Sequence, residues 1–212
     1  MQTSADGLFF FDVQLSPGYP KLPPCFHYHS YSRRLNPNLY EEGKVCVSLL
    51  GTWSGQGSEN WDPNNSNLLQ VLVSIQGLIL VNEPYFNEPG YASQKGTNQG
   101  TTKSRQYNEM VLLENLSSLT RLAENPPNLF YNEVREHLNE TSESLTKRLE
   151  TWIKNCNHPN KTSSSTANSS QILPEFPLAP ISSAYATALK RSLELFEKSV
   201  QKMLNKNVLS TD

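Results

Sequence analysis

The sequence has little of what would mark the commoner site chemistries. It holds three cysteines, Cys25, Cys46 and Cys156. The number is odd and no spacing pairs them, so they fit a reducing compartment better than a disulfide framework. There is no C-x-x-C and no H-E-x-x-H, so spacing points to no dedicated metal site. No basic surplus exists: 18 Lys+Arg stand against 20 Asp+Glu, a formal charge of -2. That balance argues against an electrostatic nucleic-acid binder. No apolar run is long enough to span a bilayer, and no membrane partner is expected. Residues 1–20 lack a basic stretch followed by an apolar one, the pattern of a secretory leader. No internal repeat is evident. Hydrophobic residues make up 36% of the 212, low for a globular chain, which suggests that part of it is linker. The length suits one domain with an appendage, or two small domains, with enough chain to bury a core unaided by staples.

Leu8–Leu15 (LFFFDVQL) is short, aromatic and apolar, and Ser16-Pro17-Gly18 follows it; this predicts a strand and a turn. Tyr19-Pro20-Lys21-Leu22-Pro23-Pro24 is stiff and extended, because each proline fixes its own φ and restricts its predecessor. Cys25–Tyr31 predicts a second strand, antiparallel to the first. Residues 33–65 carry many turn formers and few regular signals, and a long irregular stretch in a compact domain is usually functional. Leu68, Leu69, Val71, Leu72, Ile75, Leu78 and Ile79 follow helical spacing, with Asn64, Asn65 or Ser66 as the cap. Asn82–Tyr91 is a proline-punctuated loop. A second helix is predicted over Lys103–Ala123, with Tyr107, Met110, Val111, Leu113 and Leu116 inward. After Pro126-Pro127 a third runs over Asn128–Asn155, with Thr141 to Ser144 as a possible break.

Residues 157–182 are Ser-, Asn- and Pro-rich and read as a flexible linker, with too few apolar side chains to offset the entropy of ordering them. Residues 183–206 then form an amphipathic helix. Its stripe is Tyr185, Ala188, Leu189, Leu193, Phe196, Val200 and Met203. Such a helix docks back on its domain, self-associates or captures a partner; the first two are favoured. Residues 1–156 would be the core.

Cys46, in Gly43-Lys44-Val45-Cys46 of the irregular stretch, is the residue of interest. A cysteine there is either a nucleophile or a small buried hydrophobe, and chemistry alone leaves both open. His27, His29, His137 and His158 offer bases, but none is tied to Cys46 by spacing.

The run from Gly7 to Glu88 resembles the ubiquitin-conjugating enzyme family. Gly7–Val13 resembles its aromatic strand, and Tyr19–Pro24 its Tyr-Pro-x-x-Pro-Pro turn. Asn36-Pro37-Asn38 resembles its His-Pro-Asn motif, with Asn36 in the place of a mainly structural histidine. Gly43–Cys46 resembles the active-site segment, at the family's Asn-to-Cys spacing. Trp61 and Leu68–Ile79 resemble the tryptophan and crossover helix that follow. Glu83-Pro84 and Glu88-Pro89 resemble the acidic-proline loop. The phrase Val47–Trp53, the insertion to Trp61 and the tail at Glu175–Leu178 look most like the large O-type members that combine conjugating and ligase functions. The resemblance begins at about the third strand of the family's fold, which implies an N-terminally truncated member whose Gly7 strand has an unpaired edge.

The resemblance implies an α/β (α+β) fold, with a small antiparallel sheet packed by helices and followed by the C-terminal helix. It implies that Cys46 takes ubiquitin as a thioester from the activating enzyme and passes it to a substrate lysine. Asn38 would supply an oxyanion donor or order the loop that does, against a plain turn-forming role. Glu88 would favour loss of the lysine's proton, against an exposed loop acid. Trp53 and Trp61 would pack the surrounding loops. No cofactor is bound, and ATP is consumed only by the upstream activating enzyme. The implied partners are ubiquitin, that enzyme and substrate proteins, with no nucleic acid and no membrane, in the cytoplasm and also the nucleus. The alternatives are a non-catalytic variant that binds ubiquitin, substrate or a full-length enzyme, and a weaker Cys-His-Asn hydrolase.

Overall fold

The computed structural model describes residues 6–156 and 181–206. Two strands, β1 (Phe10–Gln14) and β2 (Cys25–His29), form a two-stranded antiparallel sheet. Their register pairs Phe11 with Tyr28 and Val13 with Phe26. Between them the chain turns through Tyr19–Pro24, where Trp61 closes over it. The Trp61 indole N–H donates to the Pro20 carbonyl (2.7 Å), and its ring lies 5.9 Å from that of Tyr19.

The continuous apolar run of β1 has a physical explanation in two cores. Side chains alternate across a strand. Phe9 and Phe11 pack on one cluster, formed by Tyr28, Leu39, Val45, Val47, Leu50, Val71, Ile75 and Ile79. Leu8 and Phe10 pack on another, formed by the three long helices. The strand is therefore the seam between the two.

Helix α1 (Leu68–Ser74) is capped by Asn67, whose side chain accepts from the Gln70 N–H (3.1 Å) while Gln70 reaches back to the Asn67 N–H (2.9 Å). The cap is thus one to three residues later than the expected Asn64, Asn65 or Ser66. The reciprocal Asn-x-x-Gln pair decides the position. The helix widens into a π turn at Ile75–Ile79, closed by Leu80 N–H donating to the Ile75 carbonyl (3.0 Å).

The long helices are α2 (Asn98–Glu124), α3 (Tyr131–Cys156) and α4 (Ser183–Asn205). α2 begins before the expected Lys103, because the Thr97 side chain caps it by accepting from Gly100 N–H (3.0 Å). That first turn is polar and has no apolar rhythm to betray it. Met110 is 41% exposed, and Leu112 is buried in its place. α3 runs through Thr141–Ser144 unbroken. Thr141 and Ser144 donate to carbonyls of their own helix, His137 and Thr141 respectively.

α4 packs against α2 and α3, and buries Tyr185, Ala186, Leu189, Leu193, Phe196, Ser199, Val200 and Met203. Ala188, expected in the stripe, is exposed, and Ala186 is buried instead. Most of the expected linker, 157–180, lies outside the described residues. Its last two residues are described and held: Ile181 is buried, and Ser182 N–H donates to Glu109 (3.0 Å) while its hydroxyl caps α4. Among the described residues, no helix is long and apolar enough to cross a membrane.

Candidate active site

Asn38 and Cys46 stand on opposite arms of a short hairpin. Leu39 and Val45 bridge antiparallel, Tyr40 N–H donates to the Lys44 carbonyl (3.0 Å), and Gly43 N–H donates to the Tyr40 carbonyl (3.1 Å). That register sets Asn38 across from Cys46, so their separation of 8 residues is the length of the hairpin. The turn requires glycine. Gly43 has φ +97, and a Cβ there would stand 2.0 Å from the His27 ring. Through Gly43 the hairpin is fastened to β2: Tyr28 N–H donates to the Gly43 carbonyl (2.8 Å).

The cysteine is clamped on both sides. Cys46 N–H donates to the Asn38 carbonyl (2.9 Å), and Asn38 Nδ2 donates to the Cys46 carbonyl (2.9 Å). Beyond it, Thr52 Oγ1 accepts from Val47 N–H (3.0 Å) and donates to the Val45 carbonyl (2.6 Å). Gly51 in the left-handed conformation (φ +66) brings that threonine back.

Asn36 ties this hairpin to the end of α1. It is 2% exposed. Its Oδ1 accepts from Asn38 N–H (2.7 Å), and its Nδ2 donates to the Ile79 carbonyl (2.7 Å). Asn87 Nδ2 donates to the Leu78 carbonyl (2.9 Å). The last carbonyls of a helix have no intrahelical partner. Two asparagine side chains supply partners here, and the widened turn is where they enter.

These elements enclose a cleft of about 450 Å³. Cys46, Asn38 and Val47 line it, with Ser48, Leu49, Trp53, Ser54 and Glu59 from the loop that follows. Ser74, Leu78 and Ile79 line it from α1 and its π turn, and Asn87 from the acidic-proline loop. Cys46 is 3% exposed, so it sits at the floor. Trp53, expected to pack the surrounding loops, is 42% exposed and borders the cleft. Beside the cleft, α1 and its π turn leave Leu69, Leu72, Val73 and Leu78 exposed. A cluster of exposed large apolar side chains is the mark of a protein-contact surface.

Glu88, next to Asn87, does not line the cleft. Its charge is felt by Tyr107, whose hydroxyl is pushed up to about 12, mainly by burial, with Arg34 opposing and Glu88 adding. Cys25 is exposed and Cys156 is half-buried, donating to the Ile181 carbonyl (3.4 Å). Among the described residues, no three His, Cys, Asp or Glu side chains are grouped to hold a metal ion.

Residues 3–114 match the sequence pattern of the ubiquitin-conjugating enzymes. The chain belongs to the ubiquitin-conjugating enzyme family. It is 50% identical to the probable ubiquitin-conjugating enzyme E2 23 of Arabidopsis thaliana over 149 residues, 70% of this chain and 14% of that one. To the putative enzyme E2 38 of the same plant it is 50% identical over 142 residues, 67% of this chain and 44% of the other. To the mouse dual E2 ubiquitin-conjugating enzyme/E3 ubiquitin-protein ligase BIRC6 it is 42% identical over 153 residues, 70% of this chain and 3% of that protein. The chain thus spans less than half the length of each of these relatives. The mixed α/β architecture is that of this family's domain.

Of the three residues singled out in the sequence, the fold brings Cys46 and Asn38 into contact and leaves Glu88 outside the cleft. Sequence reasoning missed Thr52 and Glu59. For Thr52 the available signal was its place directly after a turn glycine. For Glu59 no signal existed, since only the fold of the loop carries it to the cleft.

Proposed function

We propose that this chain accepts ubiquitin as a thioester on Cys46 and transfers it to a substrate lysine. The observation that carries the reading is the reciprocal clamp between Asn38 and Cys46 at the floor of a cleft with exposed apolar side chains beside it. A thiol ester is a good acyl donor to an amine, so the transfer needs no metal or organic cofactor. ATP is spent upstream, by the activating enzyme that forms the first thioester. The partners are that enzyme, ubiquitin and substrate proteins, and the compartment is the reducing cytoplasm and the nucleus.

The chemistry runs in two exchanges. The Cys46 thiolate attacks the incoming thioester carbonyl, and the activating enzyme's thiol leaves. A substrate ammonium then loses a proton, and the neutral amine attacks the carbonyl carbon. The C–N bond forms, the C–S bond breaks with its electron pair on Cys46 Sγ, and the nitrogen's second proton is lost. Asn38 holds the Cys46 carbonyl through one N–H of its amide. We assign the second N–H, which an amide always has, to the oxyanion that forms at each attack. Glu88, on the turn that carries Asn87, is assigned to help take the proton from the lysine. The same reading includes ligase activity, the second function in the mouse relative's name. Its test is transfer to a substrate protein with no ligase added.

The 3% exposure of Cys46 is the observation that favours the second reading, a non-catalytic binder of ubiquitin or substrate. One experiment separates the two. The 212-residue chain is incubated with activating enzyme, ATP and ubiquitin and run on a non-reducing gel. A thiol-labile adduct that disappears in Cys46→Ala supports transfer. A chain that binds ubiquitin and forms no such adduct is a binder.

A further inference from the structure

Among the described residues, Glu59 is the one charged residue that lines the Cys46 cleft. It belongs to a short 3-10 turn, Gly57–Glu59, which is built to hold it still. Its Oε2 accepts from Gln56 N–H (2.9 Å), and the Gln56 side chain caps the Glu59 backbone in return. A reciprocal cap of this kind fixes a side chain that would otherwise rotate freely. One carboxylate oxygen is thereby committed. Among the described residues, the other has no hydrogen-bond partner.

A second, independent contact presses this turn onto the cysteine segment. A Cβ added at Gly55 would stand 2.5 Å from Ser48 Cβ and 3.1 Å from Glu59 Cβ. Only a residue without a side chain lets the loop backbone lie that close to Ser48, two positions beyond Cys46. Asn60 Nδ2 donates to the Gly55 carbonyl (3.1 Å) and holds that approach. The loop is thus closed at both ends around Gly55, and Glu59 is carried to the cleft by it.

On the reading that Cys46 is charged with ubiquitin, we propose that Glu59 recognises the acceptor: its carboxylate receives the protonated primary amine at the mouth of the cleft. The carboxylate raises the local concentration of that ammonium group beside the thioester. The bound ammonium then loses one proton, with the help assigned to Glu88, the neutral amine attacks, and the nitrogen's second proton passes to water as the tetrahedral intermediate collapses. The C–N bond forms, and Cys46 leaves with the electrons of the C–S bond. This role is separate from that of Glu88, which does not line the cleft.

The test uses the charged 212-residue chain and two small acceptors. Free lysine is a cation at neutral pH, and hydroxylamine is largely uncharged. The reading is the ratio of the two discharge rates. Glu59→Gln keeps an oxygen to accept from Gln56 N–H and removes only the charge. It is expected to lower the lysine-to-hydroxylamine ratio about three- to five-fold, the range of a solvent-exposed charge pair. Glu59→Asp keeps the charge but shortens the cap, and is expected to keep more of the ratio than Glu59→Gln. A merely structural, capping role predicts the reverse order. The wild-type chain gives an arm that needs no variant: raising the salt should lower its ratio, because an exposed charge pair is screened. A ratio unmoved by Glu59→Gln, or a lower ratio in Glu59→Asp than in Glu59→Gln, overturns the inference and leaves the thioester reading standing. A wild-type chain that forms no thioester overturns both.

Discussion

Asn38 and Cys46 hold each other through the main chain in one direction and a side chain in the other, at 2.9 Å in both. The pair therefore fixes more than the position of a thiol. The Cys46 carbonyl is turned toward Asn38, and the sulfur is left at the floor of the cleft on a peptide that cannot rotate without losing both bonds. With Thr52 holding the flanking Val45 and Val47, the segment is clamped before chemistry starts. That is the preorganisation a developing oxyanion needs.

If Asn38 serves the oxyanion as proposed, removing its amide separates that role from the observed bond to the Cys46 carbonyl. Asn38→Ala is expected to slow discharge to free lysine far more than loading, by up to the roughly 2.7–4 kcal/mol that loss of one such donor costs. Asn38→Asp should be worse than alanine, because a carboxylate set against the Cys46 carbonyl repels it. Single-turnover loading and discharge measure both. Equal defects in the two steps would point to a collapsed hairpin instead.

Cys46→Ser should convert a thiol-labile adduct into one that survives reducing agent, because an oxygen ester resists thiol exchange. Cys46→Ala should give no adduct. Cys25→Ala and Cys156→Ala should load normally, since Cys25 is exposed on β2 and Cys156 lies at the end of α3, outside the cleft. An adduct that persists in Cys46→Ala removes Cys46 from the role.

Asn36→Ala should destabilise the fold as well as the site. It leaves the Ile79 carbonyl and the Asn38 N–H without their partner at a position 2% exposed. A buried group left unsatisfied costs about 1–3 kcal/mol. Urea unfolding measures the loss. Asn36→His is the informative companion: neutral imidazole has one acceptor and one donor, enough to replace both bonds, so it should recover part of what alanine loses.

The parts of this molecule that were legible beforehand are those governed by local periodicity. The aromatic run that opens Leu8–Leu15 read as a strand, formed over Phe10–Gln14, and its half-buried side chains pack alternately on the two cores. The stripe from Leu189 to Met203 read as a buried helix face and is one. The Asn38–Cys46 spacing was recognisable only by resemblance, since its cause is a hairpin register with few strand signals. What stayed hidden depends on groups meeting across loops. Met110 and Leu112 differ in burial because α2 is turned by its packing on α4, which no single-helix pattern reveals. Glu59 reaches the cleft through a close approach at Gly55, and a glycine in a loop announces only that something unusual is allowed there.

Alkaline pH should unfold the protein through its tyrosines. Burial pushes Tyr28 and Tyr107 to about 12, from 10.0 in the unfolded chain, and pushes Tyr185 up as well. The sign follows from the raised folded values. Below pH 10 both states keep their protons and stability does not change on this account. Above it the unfolded chain ionises first, so stability falls between about pH 10 and 12. The slope is at most about 1.4 kcal/mol per pH unit per tyrosine, and less for the half-buried Tyr107. Urea unfolding at pH 8, 10 and 11 gives the slope. Tyr28→Phe should flatten it, and an unchanged slope would mean that Tyr28 is not shielded.

Phe196 tests whether the C-terminal helix is part of the folded unit. Its side chain is fully buried, within the cluster that joins α4 to α2 and α3. Phe196→Ala should therefore cost about 3–5 kcal/mol, against near neutrality for Ala188→Glu on the exposed face of the same helix. The helical cluster also takes Leu8 and Phe10 from the strand whose Phe9 and Phe11 cover the cluster behind Cys46. Loosening α4 should thus reach the site through β1 rather than through any direct contact. Hydrogen exchange should show protection lost first in α4, α2 and α3, then in β1 and β2, with the hairpin of Asn38 and Cys46 following because Tyr28 N–H is bonded to Gly43. Loading onto Cys46 should fall along with the β1 amides. Full loading with α4 undocked would show that the two cores are independent and that the strand between them is held by the sheet alone.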